Sequence, residues 1–284
     1  MIIAHIAPRL QLNLFWAVLL ILGLSALMIA AMLLVRRRAP KGGYFATGDL
    51  AAGVFTVLAT GFALLAGFAV FLGFSKYDDA RASAQDEAFV VAQQFETAQL
   101  MPPDVRAKLS GGVICYARSV VAIEWPLIAS DIHPPFNPWS ADLLRTLRTI
   151  EPRTASEQSA YDTWLSLTSR RLEERRLRLH GGEGLVPRPV WLVLIFCAAL
   201  ILLYMLFFAD SGERAVVQAL MAGSGTSIVV ATLLLLAALG RPYQGDIGGL
   251  EPIAMQHTLE IIQETRNTLG IEDAPPCDEA GRPL

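Results

Sequence analysis

Four uncharged apolar runs constrain this chain of 284 residues more than any other feature. They are Leu10 to Val35, Leu50 to Ser75, Pro189 to Ala209 and Ala215 to Gly240. About 20 apolar residues of helix span a bilayer core. Lipid offers no hydrogen-bond partner, so each run must satisfy its own backbone, and within one segment only a helix does so. The runs predict membrane helices over about 12–35, 50–75, 189–209 and 215–240. Composition agrees. The chain is 54% hydrophobic and 17% charged, whereas soluble domains carry about 45–50% apolar and about 25% charged residues. That bias excludes an ordinary soluble enzyme, and it is the reverse of what whole-chain disorder requires. A net charge of −3 gives no reason to expect nucleic acid as a partner.

The first run is longer than the core of a signal peptide, which is about 7–15 residues, and no basic cluster precedes it. Arg36-Arg37-Arg38 follows it at once. It therefore reads as a membrane helix. Orientation is in conflict. Arg36, Arg37, Arg38 and Lys41 lie in the short connection between the first two runs, and short basic connections belong in the cytoplasm. The flanks of the long middle segment are basic too: Lys76, Arg81, then Arg170, Arg171, Arg175, Arg176, Arg178 and Arg188. Charge alone does not decide.

Residues 76–188 form a polar insertion large enough for a small domain. Its periodicity is helical. Ala84, Ala88, Val91, Phe95 and Ala98 recur at steps of three and four, as do Val105, Leu109, Val113, Tyr116, Val120 and Ile123. Pro102-Pro103 breaks the pattern between them, with Asp104 as a cap, and Pro126 predicts a helix end. Ile132 to Trp139 reads as a proline-rich turn, followed by helices over Ser140 to Thr149 and Glu157 to Leu179. No run of strands is visible. Nothing breaks Phe74 to Arg81, so the first helix of the insertion is expected to continue from the second membrane helix. After the fourth run comes a turn, then a helix over Ile253 to Leu269, then a tail, EDAPPCDEAGRPL, expected to be disordered. The domains expected are thus 1–75 membrane, 76–188 helical and soluble, 189–240 membrane, and 241–284 turn, helix and tail.

Catalytic parts are missing. The chain has no P-loop, G-x-S-x-G, H-E-x-x-H or spacing for metal ligands, so no catalytic residue, metal or cofactor is assigned. Cys115, Cys197 and Cys277, odd in number and widely spaced, suggest neither a disulfide framework nor a zinc site. No ionisable residue stands inside the four runs, which argues against a proton-coupled transporter. It is compatible with a hydrophobically gated channel and with a passive anchor. The second run carries Phe55, Phe62 and Phe68 among several glycines. These residues either line a pore and gate it by dewetting or serve close helix packing. Ala222 to Ser227 is rich in small residues, as in an unwound transporter helix or a packing face. Asp78, Asp79, Asp86 and Glu87, just past the second run, are candidates for a pore mouth or for ordinary solvated charge; the apolar face beside Glu87 could bury it in part. The basic run Arg170 to Arg178 could touch anionic lipid or be a solvated face. Glu124-Trp125-Pro126 reads as a helix terminus or, through Trp125, an interfacial anchor.

Two stretches carry a resemblance. One is Tyr77 to Ala88, YDDARASAQDEA, followed by Tyr116 and Glu124-Trp125-Pro126; the other is Arg241-Pro242-Tyr243-Gln244-Gly245-Asp246 with Leu250-Glu251-Pro252. In their order around the four runs they resemble the bestrophin-like domain family, over roughly 45–265. The resemblance implies distant similarity to bestrophins, which are pentameric anion-conducting channels with four membrane helices and a helical cytosolic region. By that resemblance Pro242, Tyr243, Gly245 and Asp246 form the turn after the last membrane helix. Gln244 interrupts the family's pattern, and the acidic run that binds calcium in animal bestrophins is missing. Bestrophins line a narrow neck with large apolar residues four apart. Here Leu64, Phe68 and Leu72 have that spacing, and so do Val54, Leu58 and Phe62. The resemblance also implies a cytoplasmic insertion and C-terminus. The expectation is an all-α, four-helix protein of the bacterial inner membrane, in contact with lipid. It would form a homo-oligomer, pentameric by resemblance, that conducts an anion past the second helix. The alternative is a membrane-anchored protein whose helical domain docks a partner.

Overall fold

The computed structural model describes residues 14–45, 48–181, 187–244 and 248–284. Among these the chain is helical throughout, with one isolated bridge, Cys277 to Pro283, and no strand. In order the helices are α1 (Leu14–Arg36), α2 (Gly48–Ala98), α3 (Pro103–Ala129), α4 (Pro138–Leu147), α5 (Ala155–His180), α6 (Arg188–Phe207), α7 (Ala215–Leu239) and α8 (Ile253–Leu269). α2 runs unbroken for 51 residues, because no glycine or proline interrupts its change from apolar to polar composition at Ser75.

Five of these helices are long and apolar enough to cross a membrane: α1, α2, α3, α6 and α7. The fifth candidate, α3, was not expected, and it differs in kind. Of its apolar window 61% is buried inside the protein, against 17% for α1, α2 and α6 and 28% for α7. The apolar side chains of α3 already have partners in the fold; those of the other four mostly do not.

The residues fall into two compact units. Unit 1 holds the described parts of 1–76 and 184–241 with Gly248; unit 2 holds those of 77–183, 242–244 and 249–284. Unit 1 packs through small residues. Ile29 Cδ1 lies where a side chain on Gly223 would go, at 3.0 Å from its Cβ position, and Met205 Cε lies 2.7 Å from that of Gly225. The hydroxyls of Ser25 and Ser227 meet at 2.9 Å between α1 and α7. Thr226 and Ser227 also donate back to the carbonyls of Ala222 and Gly223. The small-residue stretch is thus a packing face on a continuous helix and not an unwound one. A second cluster joins Phe62, Ala66 and Ala69 of α2 to Leu194, Ala198 and Leu236. The two short connections are tied together. Arg36 donates to the carbonyls of Ser211 and Glu213, and the carboxylate of Asp210 accepts from the amides of Gly42 and Gly212.

Unit 2 has a core of Val91, Phe95, Leu109, Val113, Tyr116 and Trp164, with α4 and α8 packed around it. Thr154 caps α5 in a reciprocal box with Glu157, and Asn137 caps α4 through the Trp139 amide. Pro126 does not end α3. A π turn, Val120–Glu124, precedes it, and the amide of Trp125 reaches back five residues to Val120. Widening the turn there lets the helix pass a proline and continue to Ala129.

Two expectations fail in the tail. Cys115 and Cys277 form a disulfide across 162 residues of sequence, so only Cys197 is free. Spacing along the chain could not show this, because tertiary folding closes the distance. The tail itself is packed. The indole of Trp139 donates to the carbonyl of Gly281 at 2.7 Å, and Arg118 donates to that of Asp278. Gly281 has φ 77, and a Cβ there would lie 2.8 Å from the Cys115 carbonyl oxygen, so only glycine serves.

Candidate functional site

The pore-lining candidates lie on opposite sides of α2. One turn of helix advances 3.6 residues, so Leu64, Phe68 and Leu72 share a face, and Phe55 and Phe62 lie nearly opposite. Phe62 is 6% exposed and belongs to the packing against α6 and α7. Phe55 stacks on Tyr204 and meets Phe208 edge-on. Neither is free to line a path outside the protomer, which corrects the expectation for both. Leu64, Phe68 and Leu72 are exposed, at 74%, 63% and 49%. Val57 shares their face, and no atom comes within 4 Å of a Cβ built on Gly53, Gly61 or Gly67. Between the two registers left open by the sequence, the packing leaves this one unoccupied.

The pore-mouth candidates separate in the same way. Asp78 and Asp79 are exposed. Glu87 is fully buried and belongs to a network inside unit 2, so it is no pore-mouth residue. It accepts from Arg178 Nε at 2.5 Å and from the Tyr116 hydroxyl at 2.6 Å. Glu124, delivered by the π turn, accepts from Arg178 Nη2 at 2.6 Å, from Arg175 and from Asn137. Arg171 lies over the Tyr116 ring at 4.2 Å. Its guanidinium nitrogens, with Arg178 Nη1 and Trp164 Nε1, have no hydrogen-bond partner among the described residues. The ring face and the field of nearby Glu87 stand in for one.

Burial sets the electrostatics. It pushes the Tyr116 hydroxyl well above its ordinary range, and Glu87 adds to the push. Burial opposes the charge on Glu124 too, but Arg178 and Arg175 outweigh it and hold that carboxyl below the ordinary range. Arg171 is pulled down by desolvation; Arg178, desolvated as well, is raised by Glu87 and Glu124.

The basic run of α5 is therefore neither a lipid contact nor a solvated face along its whole length. Arg171, Arg175 and Arg178 turn inward, while Arg170 pairs with Asp86 at 3.8 Å on the outside. The steps of four and three between the buried arginines were the available signal. They continue the face of Trp164 and Thr168.

Pro242 and Tyr243 also act within unit 2. The Tyr243 hydroxyl donates to the Ala80 carbonyl at 3.3 Å, and its ring meets Trp125 edge-on at 5.3 Å. The Trp125 indole donates to Leu250, whose amide donates back to Pro242. Trp125 is accordingly a buried clamp and not an interfacial anchor. Gly245 and Asp246 lie outside the described residues. Among the described residues no three His, Cys, Asp or Glu side chains are grouped to hold a metal.

The model of the bestrophin-like domain matches residues 22–248, most of the chain. The chain belongs to the bestrophin-like family. Solved structures share the fold. Two mutants of a bacterial bestrophin homologue from Klebsiella pneumoniae are similar. One is 17% identical, covering 89% of this chain and 98% of its own at a TM-score of 0.55. The other is 15% identical, covering 89% and 99% at 0.55. A mutant described as a membrane protein is 15% identical, covering 93% and 100% at 0.56. No curated protein matches. At these identities the likeness is one of fold, and function must be argued from the site. Family and apolar helices together make the bestrophin-like chain a multi-pass membrane protein.

Proposed function

We propose that the chain is the subunit of an ion channel that conducts anions across a bacterial inner membrane. In this reading α1, α2, α6 and α7 span the bilayer and α3 does not. The observation that carries it is the unoccupied α2 stripe of Leu64, Phe68 and Leu72 in a chain of the bestrophin-like family. Large apolar residues one turn apart are what a constriction gated by dewetting requires. A single protomer whose apolar runs carry no charge encloses no aqueous path, so the stripe lines one only when copies surround a common axis. By resemblance the copies number five. Asp78 and Asp79 would stand just past the stripe and set the local ion concentration at its end. By resemblance unit 2 would also lie in the cytoplasm; the disulfide and the basic short connection speak for the other face.

Chloride efflux from proteoliposomes tests the proposal, with the purified oligomer sized beforehand. Efflux above protein-free vesicles from a ring-sized particle supports it. A monomer or dimer without efflux overturns it in favour of a membrane-anchored protein whose unit 2 docks a partner.

A further inference from the structure

We infer that unit 2 faces the oxidising, exterior side of the membrane and that the two short helix connections face the cytoplasm. The inference rests on the reading that α1, α2, α6 and α7 span the bilayer. It does not require that the chain conduct.

Three observations carry it. The first is the Cys115–Cys277 disulfide. It is buried, and the residues around it are shaped for the tail it holds. A side chain on Gly111 would meet Pro276 Cδ at 2.8 Å, and one on Gly281 would meet the Cys115 carbonyl at 2.8 Å. Trp139 and Arg118 bind the tail backbone. The pairing is thus part of the fold and not an accident of two neighbouring thiols. Disulfides of this structural kind persist outside the reducing cytosol. The bond forms when the two thiols give up two electrons and two protons to a protein disulfide of the oxidising compartment. That exchange partner leaves as a dithiol.

The second observation is the short connection after α1. Arg37, Arg38 and Lys41 are exposed there, and Arg36 holds the carbonyls of Ser211 and Glu213. The two short connections therefore share one side, which also carries Arg214. Short basic connections mark the cytoplasm, whereas segments longer than about 60 residues cross largely regardless of their charge.

The third weakens the counter-argument. Three of the eight basic residues that made the long segment look cytoplasmic are Arg171, Arg175 and Arg178. They are buried in the core of unit 2, two of them against Glu87 and Glu124. Their presence has a structural reason that owes nothing to orientation. Lys76, Arg81, Arg170, Arg176, Arg188 and Arg241 remain on that side, spread over separate helices and not clustered in one short loop.

The test uses the full chain with reporters at its C-terminus, where Leu284 is exposed. Alkaline phosphatase, active only outside, should be active when fused there, and a green fluorescent protein exported unfolded should be dark. The reverse pair of results overturns the inference. Labelling separates this from a failure of the four-span reading. In a chain with Cys115→Ser, Cys197→Ser and Cys277→Ser, a membrane-impermeant maleimide applied to spheroplasts should label Ser166→Cys. Lys41→Cys should lose its labelling until the membrane is opened. Exchange of the two patterns overturns the orientation, and identical labelling of both overturns the spans. Should the triple variant fail to accumulate, the native chain decides. Denatured without reductant, it should expose one thiol, Cys197, and after reduction three. Three thiols before reduction contradict the inference.

Discussion

Units 1 and 2 are both helical, yet they are held together by different physics. Unit 1 carries almost no charge in its helices and packs by close approach at Gly223, Gly225 and Gly73. Unit 2 buries two glutamates and three arginines, caps its helices with side chains and closes its tail with a disulfide. The difference follows from the surroundings each is built for. In lipid, burial of apolar surface against apolar surface gains little, and only fit between helices remains. In water the apolar core supplies the driving force, and a buried ionic network fixes which helices meet.

That contrast makes predictions of graded size. The largest concerns the network. Arg178→Ala leaves Glu87 and part of Glu124 buried without their cation, at a cost of about 3–5 kcal/mol. Unit 2 should lose its cooperative unfolding transition, read by denaturant titration of the detergent-solubilised chain. The disulfide comes next. Cys277→Ser frees a long loop and the tail, at a cost of about 2–5 kcal/mol, and protease should then cut the tail first. A side chain at Gly225, as in Gly225→Val, must displace Met205 and costs about 1–3 kcal/mol through overpacking. It should act on the helices of unit 1 and leave the unfolding of unit 2 unchanged. Thr154→Ala removes one cap, worth about 1 kcal/mol; a calorimetric transition of unit 2 should move down slightly. Acid gives a further distinction. Glu124 has its pKa lowered in the fold, so its contribution is present above the unfolded carboxyl range and is lost as pH falls through the folded value. Unit 2 should weaken below about pH 4.5, the unperturbed value, and Glu124→Gln should flatten that dependence. Unit 1, whose carboxylate of lowered pKa, Asp210, lies on a connection and not in a core, should share it only weakly.

Most of the helices were legible because hydrophobic periodicity is local. The span Ile253–Leu269 was read to the residue, and the glycine and serine stretch of α7 was open to the packing reading it turned out to deserve. Most of the misreadings share one cause. Cys115 and Cys277, Glu124 and Arg175, and the tail and Trp139 are distant in sequence and meet only in three dimensions. Pro126 misled for a different reason: a local rule about proline was overridden by a π turn that the rest of α3 stabilises. On α2 the residue types pointed to phenylalanines as a class, and only packing separated Phe62 from Phe68.

The proposed channel turns on that separation. Chloride efflux from proteoliposomes of Phe68→Ala and Phe62→Ala, at matched amounts of folded protein, tests it directly. Phe68→Ala is expected to widen the constriction and raise efflux above wild type. Phe62→Ala, cut from the packing of unit 1, should lower stability and leave the efflux of the surviving folded protein unchanged. Raised efflux from Phe62→Ala with none from Phe68→Ala would contradict it and place the pore on the other face of α2.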